Sequence, residues 1–198
     1  PLYPFILVSL LVGFAIVPVS LTRSLAPVPV PATRFSFSKL YRRSHTAFAG
    51  GLGSGVITGS FWALGAIYVL AQTNDPSFVP AFIAANIIGG ALAQYPIGMA
   101  SDRIDRRFVL SALCAASGLS AFGLLYAETQ QELLMGAFAF GAAANSLYAI
   151  SLAKAADNSK RDEFVTLGSS VLLLCALGSA GGSLVIGWAM RIMGNEAL

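Results

Sequence analysis

Gln94-Tyr-Pro-Ile-Gly-Met-Ala-Ser-Asp-Arg-Ile-Asp-Arg-Arg-Phe-Val-Leu110 is the stretch on which the rest of the chain turns. An apolar segment, 80–100, leads into it and another, 108–126, leads out. Between them Asp102, Arg103, Asp105, Arg106 and Arg107 place five charges in six residues. Apolar segments of that length joined by so short a charged turn predict a membrane hairpin with its turn in water. Asp102 and Arg106 stand four apart with the acid first, the order that favours pairing and suits a helix dipole.

Working outward, composition agrees. Hydrophobic residues make up 56% of the 198 and charged residues 11%, against about 25% charged in a soluble domain; mean hydropathy is +0.74. A chain this poor in charge cannot cover a water-facing surface, so the fold class expected is all-α, a polytopic membrane bundle. At about 20 apolar residues per crossing there is room for six spans: 3–21, 47–71, 80–100, 108–126, 133–152 and 164–190. Pro18 is expected to kink or end the first. The chain opens on Pro1 rather than Met, and reads as part of something longer.

The net charge of +3 does not point to nucleic acid, because the basic residues sit between spans with no aromatic-interleaved basic face. Of the 12 Lys and Arg, all but Arg191 fall in the loops after spans one, three and five, while Asp75, Glu128, Glu132 and Glu196 accompany Arg191 on the other side. By the positive-inside rule the basic side is the cytoplasm. Cys114 and Cys175 lie in apolar spans without metal-ligand spacing and are expected as buried free thiols. His45, the single histidine, sits in a basic loop and is expected to be solvated.

The interval 22–46 alternates Pro27, Pro29 and Pro31 with small residues, which favours an extended run. Phe35-Ser-Phe-Ser-Lys-Leu-Tyr-Arg-Arg then forms a short amphipathic piece. Its Lys39, Arg42 and Arg43 either meet anionic lipid headgroups or belong to a solvated basic linker. In span 47–71, Gly51, Gly55, Gly59 and Ala63 recur every four residues, a small-residue stripe that admits a close neighbour; Gly178, Gly182, Ser183 and Gly187 do the same in the last span. Gly51-Leu-Gly-Ser-Gly55 is not a nucleotide loop, having neither a preceding strand nor a following G-K-[ST]. Thr73-Asn-Asp-Pro-Ser is a turn.

The string Gly98-x-Ala-Ser-Asp102-Arg103-x-Asp105-Arg106-Arg107-x-x-Leu110 resembles the signature loop of the major facilitator superfamily of secondary transporters, G-x-L-x-D-R-x-G-R-[RK]-x-x-[LI], found between the second and third helices of each six-helix half. Ala100 replaces the usual Leu, and Asp105 replaces the usual Gly at a point where a left-handed backbone is expected and Asp tolerates one. The resemblance implies that 1–21 is helix six, 22–46 the cytoplasmic inter-half loop, and 47–198 a C-terminal bundle of helices seven to eleven. Two further stretches, Leu147-Tyr-Ala-Ile-Ser-Leu-Ala-Lys-Ala-Ala-Asp157 and Ser169 to Gly182, are similar to a little-characterised bacterial branch of that superfamily, which would place the chain in a bacterial inner membrane.

The resemblance implies alternating access around a site near the midplane. It assigns Gly98, Asp102, Arg103, Arg106 and Arg107 to gating. It makes spans 47–71 and 133–152 cavity-lining, so the candidate substrate path carries Ser54, Thr58 and Trp62 on one and Phe138, Asn145 and Tyr148 on the other. An amide in mid-span marks a site by default; an interhelical hydrogen bond is the other reading of Asn145. The expected partners are a small-molecule substrate, the bilayer and the remaining half of the transporter, with no nucleic acid, cofactor or metal. An embedded enzyme is disfavoured, since no span interior holds Asp, Glu, His, Lys or Arg and neither H-E-x-x-H nor G-x-S-x-G occurs. A non-transporting assembly protein is the other class, which a flux assay separates.

Overall fold

The computed structural model describes residues 3–21, 35–157, 159 and 163–193. The chain divides into two compact units, 1–33 and 34–198. The first contains α1, Tyr3–Leu21, an apolar helix whose described side chains are exposed and which continues one turn past Pro18. Proline that late removes only one bond near a frayed end, so it does not stop the helix. The Pro27–Pro31 run lies outside the described residues.

The second unit holds α2 (Phe37–Arg43), α3 (His45–Thr73), α4 (Val79–Arg103), α5 (Arg106–Leu125), α6 (Gln130–Asp157) and α7 (Phe164–Met193). Among the described residues α3 to α7 are long and apolar enough to cross a membrane, whereas the apolar stretch of α1, Phe5–Pro18, is shorter. Each sequence-predicted span lies on its helix to within a few residues.

The helix ends follow local chemistry. Ser36 caps α2 by accepting from the Lys39 N–H at 3.3 Å, and Ser44 caps α3 by accepting from Ala47 N–H at 3.1 Å. Asn74 ends α3 with φ 50°, the left-handed C-cap geometry that Asn tolerates. Pro80 then sits in the first turn of α4, where its missing N–H costs nothing. Before α6, Thr129 Oγ1 accepts from Glu132 N–H at 3.2 Å while Glu132 returns an acceptor to Thr129 N–H at 3.2 Å, a capping box.

Glycine decides how the spans pack. On α3, a Cβ at Gly55 would strike the Cys175 carbonyl and one at Gly59 would strike Ser179, so α3 and α7 meet backbone to backbone. Gly178 and Gly182 return the contact from α7, against Leu52 and Val56. A second seam joins α4 to α6: Gly89 faces the Phe138 backbone, and Gly141 faces that of Asn86. Such close approach gains dispersion contact, which drives helix association where lipid supplies no hydrophobic force. Ala63 does not extend the stripe; it is exposed. At 3.6 residues per turn a four-residue repeat drifts about 40° per step, and by Ala63 it has turned roughly 120° from Gly51.

Inside, Phe61 of α3 stacks between Phe82 of α4 (5.7 Å) and Phe140 of α6 (5.2 Å). The Tyr68 hydroxyl donates to the Leu124 carbonyl. Buried hydroxyls satisfy themselves on their own helix, as Ser117 does on Leu113 O and Ser151 on Leu147 O, both at 2.8 Å. Cys114 departs from the expectation of two buried thiols: it is exposed, while Cys175 is half-buried. In a membrane bundle apolar surroundings include lipid, so an apolar segment does not imply an inward-facing thiol.

Candidate functional site

The charged turn is short because both helices around it are well capped. α4 ends at Arg103, Ile104 is extended, and α5 begins at Arg106. Asp105 has φ −56° and ψ 121°, so the left-handed backbone expected at that position is not adopted. Its carboxylate instead accepts from the Arg107 N–H at 2.9 Å and caps α5. Glycine has no side chain for this task, which accounts for the departure from the signature pattern. That N–H, followed by Lys154 Nζ at 3.4 Å, holds the Asp105 carboxyl below the usual range.

Arg106 is the centre of the site. Its guanidinium donates through one nitrogen to Asp102 Oδ1 at 2.9 Å and through the other to Asp157 Oδ1 at 2.7 Å. Its side chain is 18% exposed, against 72% for Asp102 and 47% for Asp157. One planar fork therefore ties the end of α4 and the start of α5 to the end of α6. Lys154, one turn before Asp157, adds the bridge to Asp105. Together these groups form a clasp of alternating charge across three helices. Arg103 and Arg107 are exposed, and among the described residues neither side chain makes an ion pair in it, although the Arg107 charge helps lower the Asp105 carboxyl. Gly98 lines a crevice of about 270 Å³ beside the clasp, with Gln94, Ser101, Asp102, Arg106 and Ser146.

Sequence reading identified the 147–157 stretch and the signature turn separately, and missed that Lys154 and Asp157 hold Asp105 and Arg106. The signal was present: two opposite charges three residues apart share a helix face, at the same end of the bundle as the turn.

The six candidate path residues are distributed over several surfaces. Ser54 is buried in the α3–α7 seam, donating to Gly51 O at 2.9 Å beside Cys175 Sγ at 3.7 Å. Thr58 donates to Ser54 O at 2.6 Å. Trp62 is exposed, edge-on to Phe61. On α6, Phe138 is exposed. Asn145 donates across the α4–α6 seam to Asn86 Oδ1 at 3.3 Å and Asn86 O at 3.4 Å. Tyr148 packs against the cluster of Leu40, Leu167 and Val171. A cavity of about 550 Å³ opens instead against Val56, Ser60, Phe61, Cys114, Ser117 and Phe140, and none of the six lines it. Asn86 itself is fully buried, and its amide nitrogen has no hydrogen-bond partner among the described residues. Among the described residues no group of three His, Cys, Asp or Glu is placed to hold a metal ion.

The basic piece is also anchored. Leu40 of α2 is fully buried against Ala47, Ala155, Leu167 and Val171. Lys39 and Arg43 pair with Glu163 at 2.9 and 3.4 Å, and the Ser36 N–H donates to Ser170 Oγ at 3.2 Å. His45 is exposed, its ring 4.3 Å edge-on from Tyr41.

The chain is similar to curated proteins that bear the name uncharacterised MFS-type transporter YcaD. The protein of Escherichia fergusonii is 25% identical over 181 residues, 90% of this chain and 46% of its own length. That of Salmonella arizonae is 26% identical over 151 residues, covering 76% and 39% of the two chains. That of Salmonella paratyphi B is 26% identical over 141 residues, 71% and 36%. The chain thus spans less than half the length of the curated relatives it matches. No protein-family profile matches it, and no solved structure does.

Proposed function

We infer, from relatives named as MFS-type transporters, that this chain is of the major facilitator type and forms part of a secondary active transporter. In this reading the protein moves a small solute across the bacterial inner membrane by alternating access, with the clasp end of the bundle in the cytoplasm. The observation that carries the reading is Arg106, held between Asp102 and Asp157 where α4, α5 and α6 come together. A fork at the start of α5 with one partner on α4 and one on α6 resists movement of α5 against those two helices, and releasing either partner loosens it. Exposed pairs of this kind are worth about 0.2–1 kcal/mol, enough to bias two conformations and small enough to break in each cycle.

The substrate path in this reading runs along the Thr58–Trp62 face of α3 and the Phe138–Asn145–Tyr148 side of α6, with Ser54 at its edge. Support comes from the exposed aromatic rings of Trp62 and Phe138, and from an amide pair, Asn86–Asn145, in an otherwise apolar seam. A substrate acceptor would take over the Asn145 donor now given to Asn86.

Reconstitution tests the reading. Full-length protein in proteoliposomes is screened by thermal shift against a panel of small solutes, and the stabilising solute is followed by counterflow. Transport is expected, with Asp102→Asn slowing exchange while membrane expression is kept. Absence of flux for every stabilising solute would favour an assembly role, and unaltered exchange in Asp102→Asn would reduce the clasp to a solvated loop.

A further inference from the structure

We propose that the α2 end of the bundle is a binding site for the phosphate headgroup of an anionic phospholipid, and that the headgroup competes with Glu163 for Lys39 and Arg43. The site is a concavity of about 510 Å³ lined by Ser36, Ser38, Lys39, Arg42 and Arg43. It offers three cations and two hydroxyls, the donor set that a phosphate takes. Glu163, 12% exposed, answers two of the cations, Lys39 and Arg43. Arg42 is exposed and makes no ion pair among the described residues. Three positive charges against one negative leave the pocket electropositive.

A lipid rather than a soluble phosphate is favoured by what surrounds the cations. α2 ends one residue before α3, an apolar span that starts at His45, so its cations stand at the level where that span leaves the bilayer. Tyr41, next to Arg42 in sequence, is half exposed, and Tyr is a residue enriched at membrane interfaces. Leu40 faces the other way and locks α2 onto α3, α6 and α7, which fixes the pocket in place. The hydroxyl of Ser170 on α7 also receives the Ser36 N–H, which ties the lining residue Ser36 to α7.

Competition has a structural consequence. Glu163 immediately precedes α7, and its ion pairs with Lys39 and Arg43 join the start of that helix to α2. A bound phosphate draws Lys39 and Arg43 away and loosens that link. The headgroup site is separate from any site for the transported solute. This inference rests on the cytoplasmic placement of the α2 end but on no substrate, so a failure of transport leaves it standing, and equal affinity for the two lipids leaves the transport reading standing.

The test uses full-length protein in detergent, titrated by thermophoresis with short-chain phosphatidylglycerol, phosphatidylcholine of the same chains, and glycerol 3-phosphate. Phosphatidylglycerol is expected to bind more tightly than phosphatidylcholine. Each cation near a membrane surface contributes about fivefold to such binding, so Arg42→Gln weakens it about fivefold. Removing the competitor in Glu163→Gln strengthens it by about the same factor. Size-exclusion profile and thermal midpoint verify folding, and the exposed Arg42 keeps the test open if Glu163→Gln is unstable. Equal affinity for the two lipids would overturn the proposal, as would a folded Glu163→Gln variant binding no better than the original. Glycerol 3-phosphate binding as tightly as the lipid would also overturn it, in favour of a soluble phosphate.

Discussion

Replacing Gly55 by Ala tests the packing on which the bundle depends, and Gly53→Ala supplies its control on the same helix. Both positions lie inside α3, so each substitution gains the same helix propensity, about 1 kcal/mol for Gly to Ala. They differ in what the new methyl meets. At Gly53 nothing lies within 4 Å, whereas at Gly55 the methyl would collide with the carbonyl and Cα of Cys175. Backbone cannot rotate away as a side chain does, so α7 must move outward. Overpacking of this kind costs about 1–3 kcal/mol. The propensity term cancels between the two variants, and the difference in their stability is the overpacking term alone. At about 2–4 °C per kcal/mol for a domain of this size, Gly55→Ala should melt roughly 2–12 °C below Gly53→Ala. The assay is a thermal-unfolding measurement on purified full-length protein in one detergent. Gly55→Ala melting at or above Gly53→Ala would show that α3 and α7 do not meet backbone to backbone, and would remove the basis of the fold described here.

Topology is the next expectation: in a background without Cys114 and Cys175, an impermeant thiol reagent labels Asp75→Cys in intact cells, and Arg42→Cys only after the membrane is opened. Labelling in the opposite sense would invert the orientation. Asn145→Ala and Trp62→Ala are each expected to lower substrate affinity several-fold at matched membrane expression, and wild-type affinity in both would end the substrate-path proposal. The lowered Asp105 carboxyl gives a pH signature: its cap and its Lys154 bridge hold above the ordinary carboxylate pKa and disappear only as pH falls through the depressed value. The stability difference between the native chain and Asp105→Ala should therefore be full above the ordinary carboxylate pKa, shrink as pH falls below it and vanish below the depressed value, and a difference that does not change with pH would contradict the capping role.

Much of this architecture was legible because hydropathy and the glycine spacing are one-dimensional signals. The span 47–71 became His45–Thr73 and the span 80–100 became Val79–Arg103, since a polar interval must interrupt each crossing. Gly51, Gly55 and Gly59 announced a close neighbour, though not that it would be α7. What stayed hidden were choices between alternatives that a string of residues leaves equal. Asp105 was compatible with a left-handed backbone and with a cap, and the free N–H of Arg107 decided for the cap. Cys114 was compatible with burial and with an open surface; α5 buries Leu110, Leu113 and Ser117, and Cys114 stands exposed beside Ser117 in the wall of the open cavity. Asn145 was compatible with a lining role and with a helix contact, and in this conformation its amide is given to Asn86.

The two kinds of contact in the bundle divide the work of a moving membrane protein between them. The seams at Gly55–Cys175 and Gly141–Asn86 are direct backbone contacts with no flexible side chain between them. Sliding along such a seam would bring a Cβ-bearing residue into the glycine's place, so α3 with α7, and α4 with α6, are expected to move as rigid pairs. The clasp has the opposite character. Its carboxylates are largely in water, its screened bridges are individually weak, and the guanidinium keeps donors for either partner when the other leaves. The clasp ties α5, through Arg106, to the end of α4 and the end of α6, so its release frees α5 against the α4–α6 pair while both pairs keep their shape. In the proposed transport cycle the energy of each such exchange must be small while the shape of each moving body is preserved. The described spans keep Asp, Glu, Lys, Arg and His out of their interiors and gather them at the helix ends, where water screens each bridge and lets it part and return.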